Sequence, residues 1–337
     1  MGDAEVFPAS PLARDRYVVE RRGSRPAHDP WRHQGVFVED ERQDDGTVAR
    51  VATVLLTGRE CPWRCTMCDL WQYTTSTDTP AGAIPSQIHD ARRTLRNDVE
   101  DVTIMKLYNA GSFFDPRAVP EADYPRVVEA LAGLSRVIVE SHPALVGARV
   151  DRLLALLKAD GMTSATTLEV AMGLETAHPS ALERLNKRVT FAEFRAAAAA
   201  LRERGVALRV FLLIGPPFVR PDEQDVWLVR SIDAAFSCGA SAVSLIPTRS
   251  GNGAMDALVR TGGFSAPTID DVERSFALAL HHAAGRGRVF LDLWDLDRLS
   301  ACTSDAAWRR GRLHEMNLRQ VVLPPAPCAA GDHRVVE

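Results

Sequence analysis

The sequence predicts an α/β protein built as a partial or full (β/α) barrel, and three observations lead there. From Arg50 onward, short apolar runs of strand length alternate with segments of helical periodicity, the pattern of parallel strands joined by right-handed crossovers. Each strand candidate keeps one face apolar and sets charged residues on the other, as a polar lumen beneath an outer layer of helices requires. The chain of 337 residues, 46% hydrophobic and 25% charged, is long enough for one large domain of this kind. Six or so βα units suit a barrel better than an open sheet.

Residues 1–46 read as an N-terminal extension rich in Arg, Asp, Pro and Gly, in which Trp31 and the run Val36-Phe37-Val38 mark a part that docks or pairs. Residues 47–296 carry the barrel, and 297–337 form a C-terminal closing segment. Strands are predicted at Val51–Thr57, Val102–Tyr108, Val137–Glu140, Leu168–Gly173, Ala207–Ile214, Ala242–Ile246 and Val289–Trp294. Between them, Thr190 and Glu193 make a capping box ahead of Phe191, Phe194, Ala198 and Leu201 at helical spacing. Thr268 caps a helix whose apolar face is Ile269, Val272, Phe276 and Leu280, and Asp222 opens another with Val226, Val229, Ile232 and Phe236 on one side.

Strand alternation sets Lys106, Glu140, Glu169, Arg209 and Asp292 on the lumen face. Buried charges are costly unless paired or engaged by a ligand. These residues are therefore either structural ion pairs filling the barrel or the wall of a substrate and cofactor cavity. Because every inward charge sits on a strand leading to the rim, the second reading is preferred. It makes Lys106, Glu140, Arg209 and Asp292 the catalytic candidates, with His142, Arg249 and Trp294 beside them.

Net charge is −4, from 40 basic and 44 acidic residues. Without a basic surplus to neutralise phosphates, autonomous nucleic-acid binding is disfavoured. No run of 18 apolar residues is present to span a membrane. The start Met1-Gly2-Asp3-Ala4-Glu5-Val6 has no secretory signal character, so a cytoplasmic protein with reduced thiols is expected.

Of six cysteines, Cys238, Cys302 and Cys328 are scattered, and Cys238 reads as a small core residue at a helix end. The other three form Cys61-Pro62-Trp63-Arg64-Cys65-Thr66-Met67-Cys68, a C-x3-C-x2-C spacing. This loop directly follows the first predicted barrel strand, at the end where barrel enzymes keep their active sites. Three thiolates are one short of a closed zinc or iron–sulfur site, so a cubane held this way keeps one iron open. A structural zinc completed by Cys302 or Cys328 is the alternative.

The loop and its position resemble the radical S-adenosylmethionine (radical SAM) superfamily, over about residues 50–295. Asn109-Ala110-Gly111-Ser112-Phe113-Phe114-Asp115-Pro116 and Leu185-Asn186-Lys187-Arg188 are similar to the subgroup of the archaeosine synthase radical subunit, with elongator-type radical enzymes as more distant relatives. The resemblance implies a [4Fe–4S] cluster on Cys61, Cys65 and Cys68, and S-adenosylmethionine cleaved there to a 5′-deoxyadenosyl radical. It sets Asn109, Gly111 and Ser112 beside the methionine part of that cofactor, Glu175 beside the ribose, and Gly215 and Ile246 near the adenine. Met67 stands where many members carry an aromatic residue, and Trp71 takes the place of that adenine neighbour. A flavodoxin or ferredoxin-type electron donor is implied as a partner.

The substrate expected is a small polar molecule, nucleoside- or sugar-nucleotide-derived, with carbon–carbon bond formation in tunicamycin-type nucleoside biosynthesis as an example. One alternative is modification of a 7-deazaguanine base in tRNA together with a partner subunit. Another is a non-catalytic zinc-binding interaction protein. The loop Ser250-Gly251-Asn252-Gly253 is a further candidate, for holding a phosphate on its backbone amides.

Overall fold

The alternating apolar runs fold into one eight-stranded sheet whose spatial order follows the chain: β1 (Gly35–Arg42), β2 (Val48–Leu55), β3 (Ile104–Tyr108), β4 (Arg136–Glu140), β5 (Thr167–Glu175), β6 (Ala207–Ile214), β7 (Ala242–Pro247) and β8 (Arg288–Leu291). Strands β2 to β8 are parallel, and β1 is antiparallel to β2. The computed structural model describes residues 7–98, 101–158, 166–299 and 303–325. Cys302 and Cys328 lie outside the described residues.

The helices are α1 (Pro11–Glu20), α2 (Ala83–Asp98), α3 (Tyr124–Ala130), α4 (Ala148–Leu157), α5 (Pro179–Arg184), α6 (Phe191–Glu203), α7 (Gln224–Ser237), α8 (Ala254–Arg260), α9 (Ile269–Ala283) and α10 (Thr303–Arg319). Most connect successive strands and pack on the outer face, where Val54, Met105, Val139, Val170, Val210 and Val243 join one continuous core with Ile84, Phe194, Ile232 and Phe276. Among the described residues, no helix is long and apolar enough to cross a membrane. The capping boxes at Thr190–Glu193 and Thr268–Asp271 both form.

Several boundaries differ from expectation by a few residues, such as β2 at Val48–Leu55 instead of Val51–Thr57, and two of the differences have a local cause. Asp222 pairs with Arg220 at 2.5 Å inside a short 3-10 turn, so α7 starts at Gln224. Strand β8 ends at Leu291 because the Asp292 carboxylate turns back to accept the Trp294 N–H at 2.9 Å.

The run Val36-Phe37-Val38 does pair, and its strand is integral to the barrel. Directly opposed residues share a face, so Phe37, Glu39 and Glu41, opposite Thr53, Val51 and Ala49, look into the lumen. Strands β1 and β8 share no ladder, and the barrel is partial. The free edge of β8 is instead satisfied by α10: Asn317 bonds both the N–H and the C=O of Leu291, and Gln320 does the same for Val289. Four amide hydrogen bonds thus substitute for a ninth strand and blunt the edge.

The lumen is divided. Its lower part is closed by apolar Val51, Ile104, Ile138 and Ala171 together with a buried ion network. Glu41 Oε1 lies 2.7 Å from Arg209 Nη2, and its Oε2 lies 2.7 Å from Lys106 Nζ. Arg209 Nε also meets Glu169 at 2.7 Å, Lys106 reaches Glu39 at 2.6 Å, and Arg136 and Arg288 close the group from below. Higher up, Thr53, Leu55, Tyr108, Glu140, Phe211, Ser244, Ile246 and Asp292 are only partly covered and line an open mouth. Burial alone would raise the Glu41 pKa, but the charges of Arg209 and Lys106 outweigh it and hold the carboxyl well below its usual range.

Glu41→Ala should therefore destabilise the fold by about 3–5 kcal/mol, because two cations lose a shared partner inside the barrel. A depressed carboxylate pKa contributes stability that is fully present above the unfolded value, near 4.5, and fades as pH falls through the folded value. Denaturant unfolding of both proteins should show the wild-type advantage shrinking only below about pH 4.5. An advantage that is absent at neutral pH would contradict the assignment.

Candidate active site

Beyond β2 the chain leaves the sheet and hangs the Cys61–Cys68 loop over the C-terminal mouth. Unlike a free surface loop, it is clamped from three sides. The Thr66 N–H donates to the Leu185 carbonyl at 2.9 Å and its hydroxyl to that of Arg184 at 3.1 Å. The Asn186 amide donates to the Arg64 carbonyl at 2.8 Å. From the other side, Asn252 donates to the carbonyls of Thr66 (2.8 Å) and Cys68 (3.2 Å). The N-terminal arm supplies the third clamp, with Arg22 and Arg25 converging on Glu60, which also meets Arg64. Trp63 stacks on His142 with ring centroids 3.5 Å apart and planes 11° apart. His142 accepts from Ala144 N–H and bonds the Lys187 carbonyl through Nε2; burial holds its pKa down at about 3, so it is a neutral prop for the loop.

Burial pushes the Cys65 thiol up to about 12 and raises Cys61 and Cys68 as well. Such thiols become thiolates when a metal compensates the charge. Cys61 Sγ makes a long contact to the Trp63 carbonyl, 3.8 Å. Among the described residues, no three His, Cys, Asp or Glu side chains converge as ligands of a single ion would. Three thiols on one C-x3-C-x2-C loop, Cys65 buried and Cys61 and Cys68 partly covered, are a donor set whose chemistry fits an iron–sulfur cluster.

Beneath the loop lies a pair that sequence reasoning only half found. Glu175, at φ +67° on the end of β5, holds Lys187 Nζ at 2.7 Å. Burial works against the Lys187 charge, but Glu175 and then Cys65 outweigh it and raise its pKa. A Cβ at Gly173 would sit 2.1 Å from the Glu175 oxygen and 2.6 Å from Lys187 Nζ, so the pair occupies space that only glycine leaves. Lys187 appears in the sequence merely as part of a shared run; its signal is distance to Cys65 and Cys61, which only the fold supplies. Asn186 and Asn252 went unassigned for the same reason.

Glu140 is turned to the backbone. It accepts the Asn109 N–H at 2.6 Å, together with the amides of Ala110 and Gly111, and so shapes a turn in which Ala110 takes φ +53°. Gly111 lies beside the cysteine loop, where a Cβ would make ordinary contact, 3.6 Å, with the Cys61 nitrogen. The Asn109 side chain is fully buried with both amide atoms unpartnered. Gly215, at φ +65°, and half-buried Ile246 stand at the ends of β6 and β7 on the open mouth.

Other expected residues are engaged elsewhere. Lys106 and Arg209 are committed to carboxylates in the floor network, the structural alternative of the two readings. Asp292, its pKa raised by burial against the pull of Arg249, pairs with that guanidinium at 3.1 Å near the rim. Ser112 is buried, with its hydroxyl engaged by Ser141 and the His142 N–H. Trp71 is 4% exposed, with the guanidiniums of Arg22 and Arg25 at 4.9 and 5.9 Å from its ring. An adenine could stack there only by displacing Arg22. Met67 turns towards a satellite core of Met255, Leu258 and Phe264. The phosphate reading of the Ser250–Gly253 loop is corrected: the Asp256 carboxylate already occupies the Gly251 and Gly253 amides, both at 2.8 Å.

A mouth of parallel strands roofed by a three-cysteine loop resembles the radical SAM superfamily, in its archaeosine synthase and elongator types. No family model matches the chain. It is 28% identical over 243 residues to the archaeosine synthase subunit beta of Methanosarcina acetivorans, covering 67% of this chain and 65% of that protein. The protein of the same name from Thermococcus kodakarensis is 30% identical over 119 residues, 34% of this chain and 35% of that one. The chain thus spans just under two thirds of the first curated relative. In fold it is similar to methylornithine synthase (TM-score 0.51, 16% identity, covering 85% of this chain and 78% of that one). It is also similar to a radical SAM methyltransferase from Sphaerobacter thermophilus (TM-score 0.50, 17% identity, 76% and 73%).

Burial raises the Glu140 carboxyl to about 7, against the pull of its three amide donors. A carboxyl pKa raised on folding means the native state binds the extra proton, so stability declines as pH rises from the unfolded value, 4.5, to about 7. Glu140→Gln removes that titration. Thermal melts should show wild type losing ground to the variant across this interval and running parallel to it above. A constant difference would contradict the placement of this carboxyl.

Proposed function

We propose that the chain is a radical SAM enzyme acting on a small polar substrate held in the barrel mouth. The observation that carries this reading is the clamped three-cysteine loop directly above the buried Lys187–Glu175 pair. Cys61, Cys65 and Cys68 would hold a [4Fe–4S] cluster. When bound, that cluster with S-adenosylmethionine supplies one-electron cleavage to a carbon-centred radical that attacks an unactivated position. The chain's own contribution is positional. Lys187 offers a cation beside the thiolates for an anionic group of the cofactor, and Glu175 offers a carboxylate for a cofactor hydroxyl or ammonium. Glu140 holds the Asn109–Gly111 turn against the Cys61 backbone, where glycine lets the cofactor approach. The apolar lower lumen and its ion network exclude water from beneath.

The finer reading is a nucleoside- or sugar-nucleotide-derived substrate, a flavodoxin or ferredoxin-type electron donor, and action in the cytoplasm in nucleoside biosynthesis. A second reading rests on the relatives' name: as a subunit of an archaeosine synthase-like assembly, the chain would work on a base in tRNA with a partner. Tight binding of unmodified tRNA by this chain alone at physiological salt would favour it, since net charge −4 argues for weak, salt-sensitive binding.

Anaerobic reconstitution with iron and sulfide tests the class. About four irons per chain and a broad visible absorption band are expected. Cys65→Ala should abolish both the cluster and S-adenosylmethionine cleavage, whereas Cys238→Ala, in the core at the end of α7, should retain both. Full turnover by the Cys65 variant would overturn the assignment.

A further inference from the structure

We propose that Asn252 is the positioning residue of the third cysteine, fixing the backbone at Cys68 and with it the retention and potential of a cluster bound there. The inference rests on the radical SAM reading above and deepens it. An asparagine side chain carries two N–H donors and one accepting oxygen, and Asn252 engages all of them. Its amide nitrogen donates to the Thr66 carbonyl at 2.8 Å and to that of Cys68 at 3.2 Å. Its oxygen accepts the Met255 N–H at 2.7 Å, in the first turn of α8. The side chain is 4% exposed, so these bonds are shielded from water. Aspartate, of the same shape, would set a carboxylate against two carbonyls, and alanine would reach neither.

The loop that presents Asn252 is braced on both sides. Gly251 and Gly253 take φ +101° and +82°, a region open to glycine, and the Asp256 carboxylate holds both of their amides at 2.8 Å. A Cβ at Gly253 would lie 1.8 Å from the Arg21 carbonyl oxygen, so the N-terminal arm presses directly on the loop. Met67, between the two carbonyls that Asn252 holds, packs with Met255, Leu258 and Phe264. Cys65 has different support: Asn186 holds the Arg64 carbonyl before it, while Arg184 and Leu185 hold Thr66 after it. The two cysteines are therefore anchored by separate elements, Cys65 by the end of α5 and Cys68 by the start of α8. The backbone of Leu70 hydrogen-bonds the Cys68 sulfur, and such bonds help to set a cluster's potential. Asn252 holds the Cys68–Asp69 peptide, which leads the chain to that amide.

Asn252→Ser separates the two duties of this side chain, because serine still caps a helix but is too short to hold both carbonyls. The first readout needs no cluster. In the cluster-free full chain, iodoacetamide should alkylate Cys68 about tenfold faster in the variant, the effect of losing two neutral hydrogen bonds. Cys65 should react at the wild-type rate, each site being followed by mass spectrometry, and thermal melting should stay close to wild type. After anaerobic reconstitution, the variant should release iron to a chelator about tenfold faster. Its reduction potential should be more negative, because a loosened N–H contact to sulfur offsets less of the charge gained on reduction. Equal alkylation of Cys68 in the two proteins overturns the proposal, as do unchanged iron release and potential. Equal acceleration at Cys65, or a large fall in the melting temperature, overturns it too, because Asn252 would then support the loop or the fold as a whole. A wild-type chain that assembles no cluster would overturn the radical reading, while alkylation still decides whether Asn252 fixes Cys68.

Discussion

Glu41 joins the two ends of the barrel. It stands on the one antiparallel strand, and its two oxygens tie Lys106 of β3 to Arg209 of β6 across the lumen. Without it, two buried cations would share the lumen with no carboxylate between them, beside the unpaired seam between β1 and β8. With it, β1 is drawn against the barrel interior, and Arg288 and α10 complete the seam from the far side. Removing one member of such a network costs more than any member contributes alone, because the remaining charges stay buried.

That constraint explains why the molecule separates support from chemistry along the barrel axis. The lower lumen is apolar and charge-balanced, so nothing there is free to bind. The groups proposed to meet the cofactor all lie higher: the three thiols, Lys187 with Glu175, and the Asn109–Gly111 turn. The cysteine loop, which carries little regular structure of its own, gains rigidity from outside through Asn186, Asn252 and the Arg22–Arg25–Glu60 contacts. An arm that reads as an extension is thus part of the scaffold of the site.

Much of this was legible in the sequence, for definite reasons. Period-two alternation named the lumen faces correctly, because a strand buried on one side has no other register. The cysteine spacing named the loop, since ligand chemistry demands residue type and order. What alternation cannot give is height along the barrel or the identity of a partner. Lys106 and Arg209 point inward as expected, yet whether they meet a carboxylate or a ligand depended on Glu41, which sits in the segment read as an extension. Trp71 and the Ser250–Gly253 amides were assigned to ligands because Arg22 and Asp256, which occupy them, are distant or unremarkable in sequence. Lys187 was overlooked because its role comes from a fold-level contact, and no motif of its own marks it.

The buried cations thus divide into a structural set and a proposed cofactor-facing set, and one paired measurement tests that division. Thermal melts of Arg209→Met and Lys187→Met, each with and without S-adenosylmethionine on the reconstituted protein, read both roles at once. The Arg209 variant should melt well below wild type yet keep the ligand-induced rise. The Lys187 variant should also melt below wild type, because Glu175 loses its buried partner, but it should lose that rise. The reverse pattern, with the rise lost at Arg209 and kept at Lys187, would exchange the two roles and overturn this division.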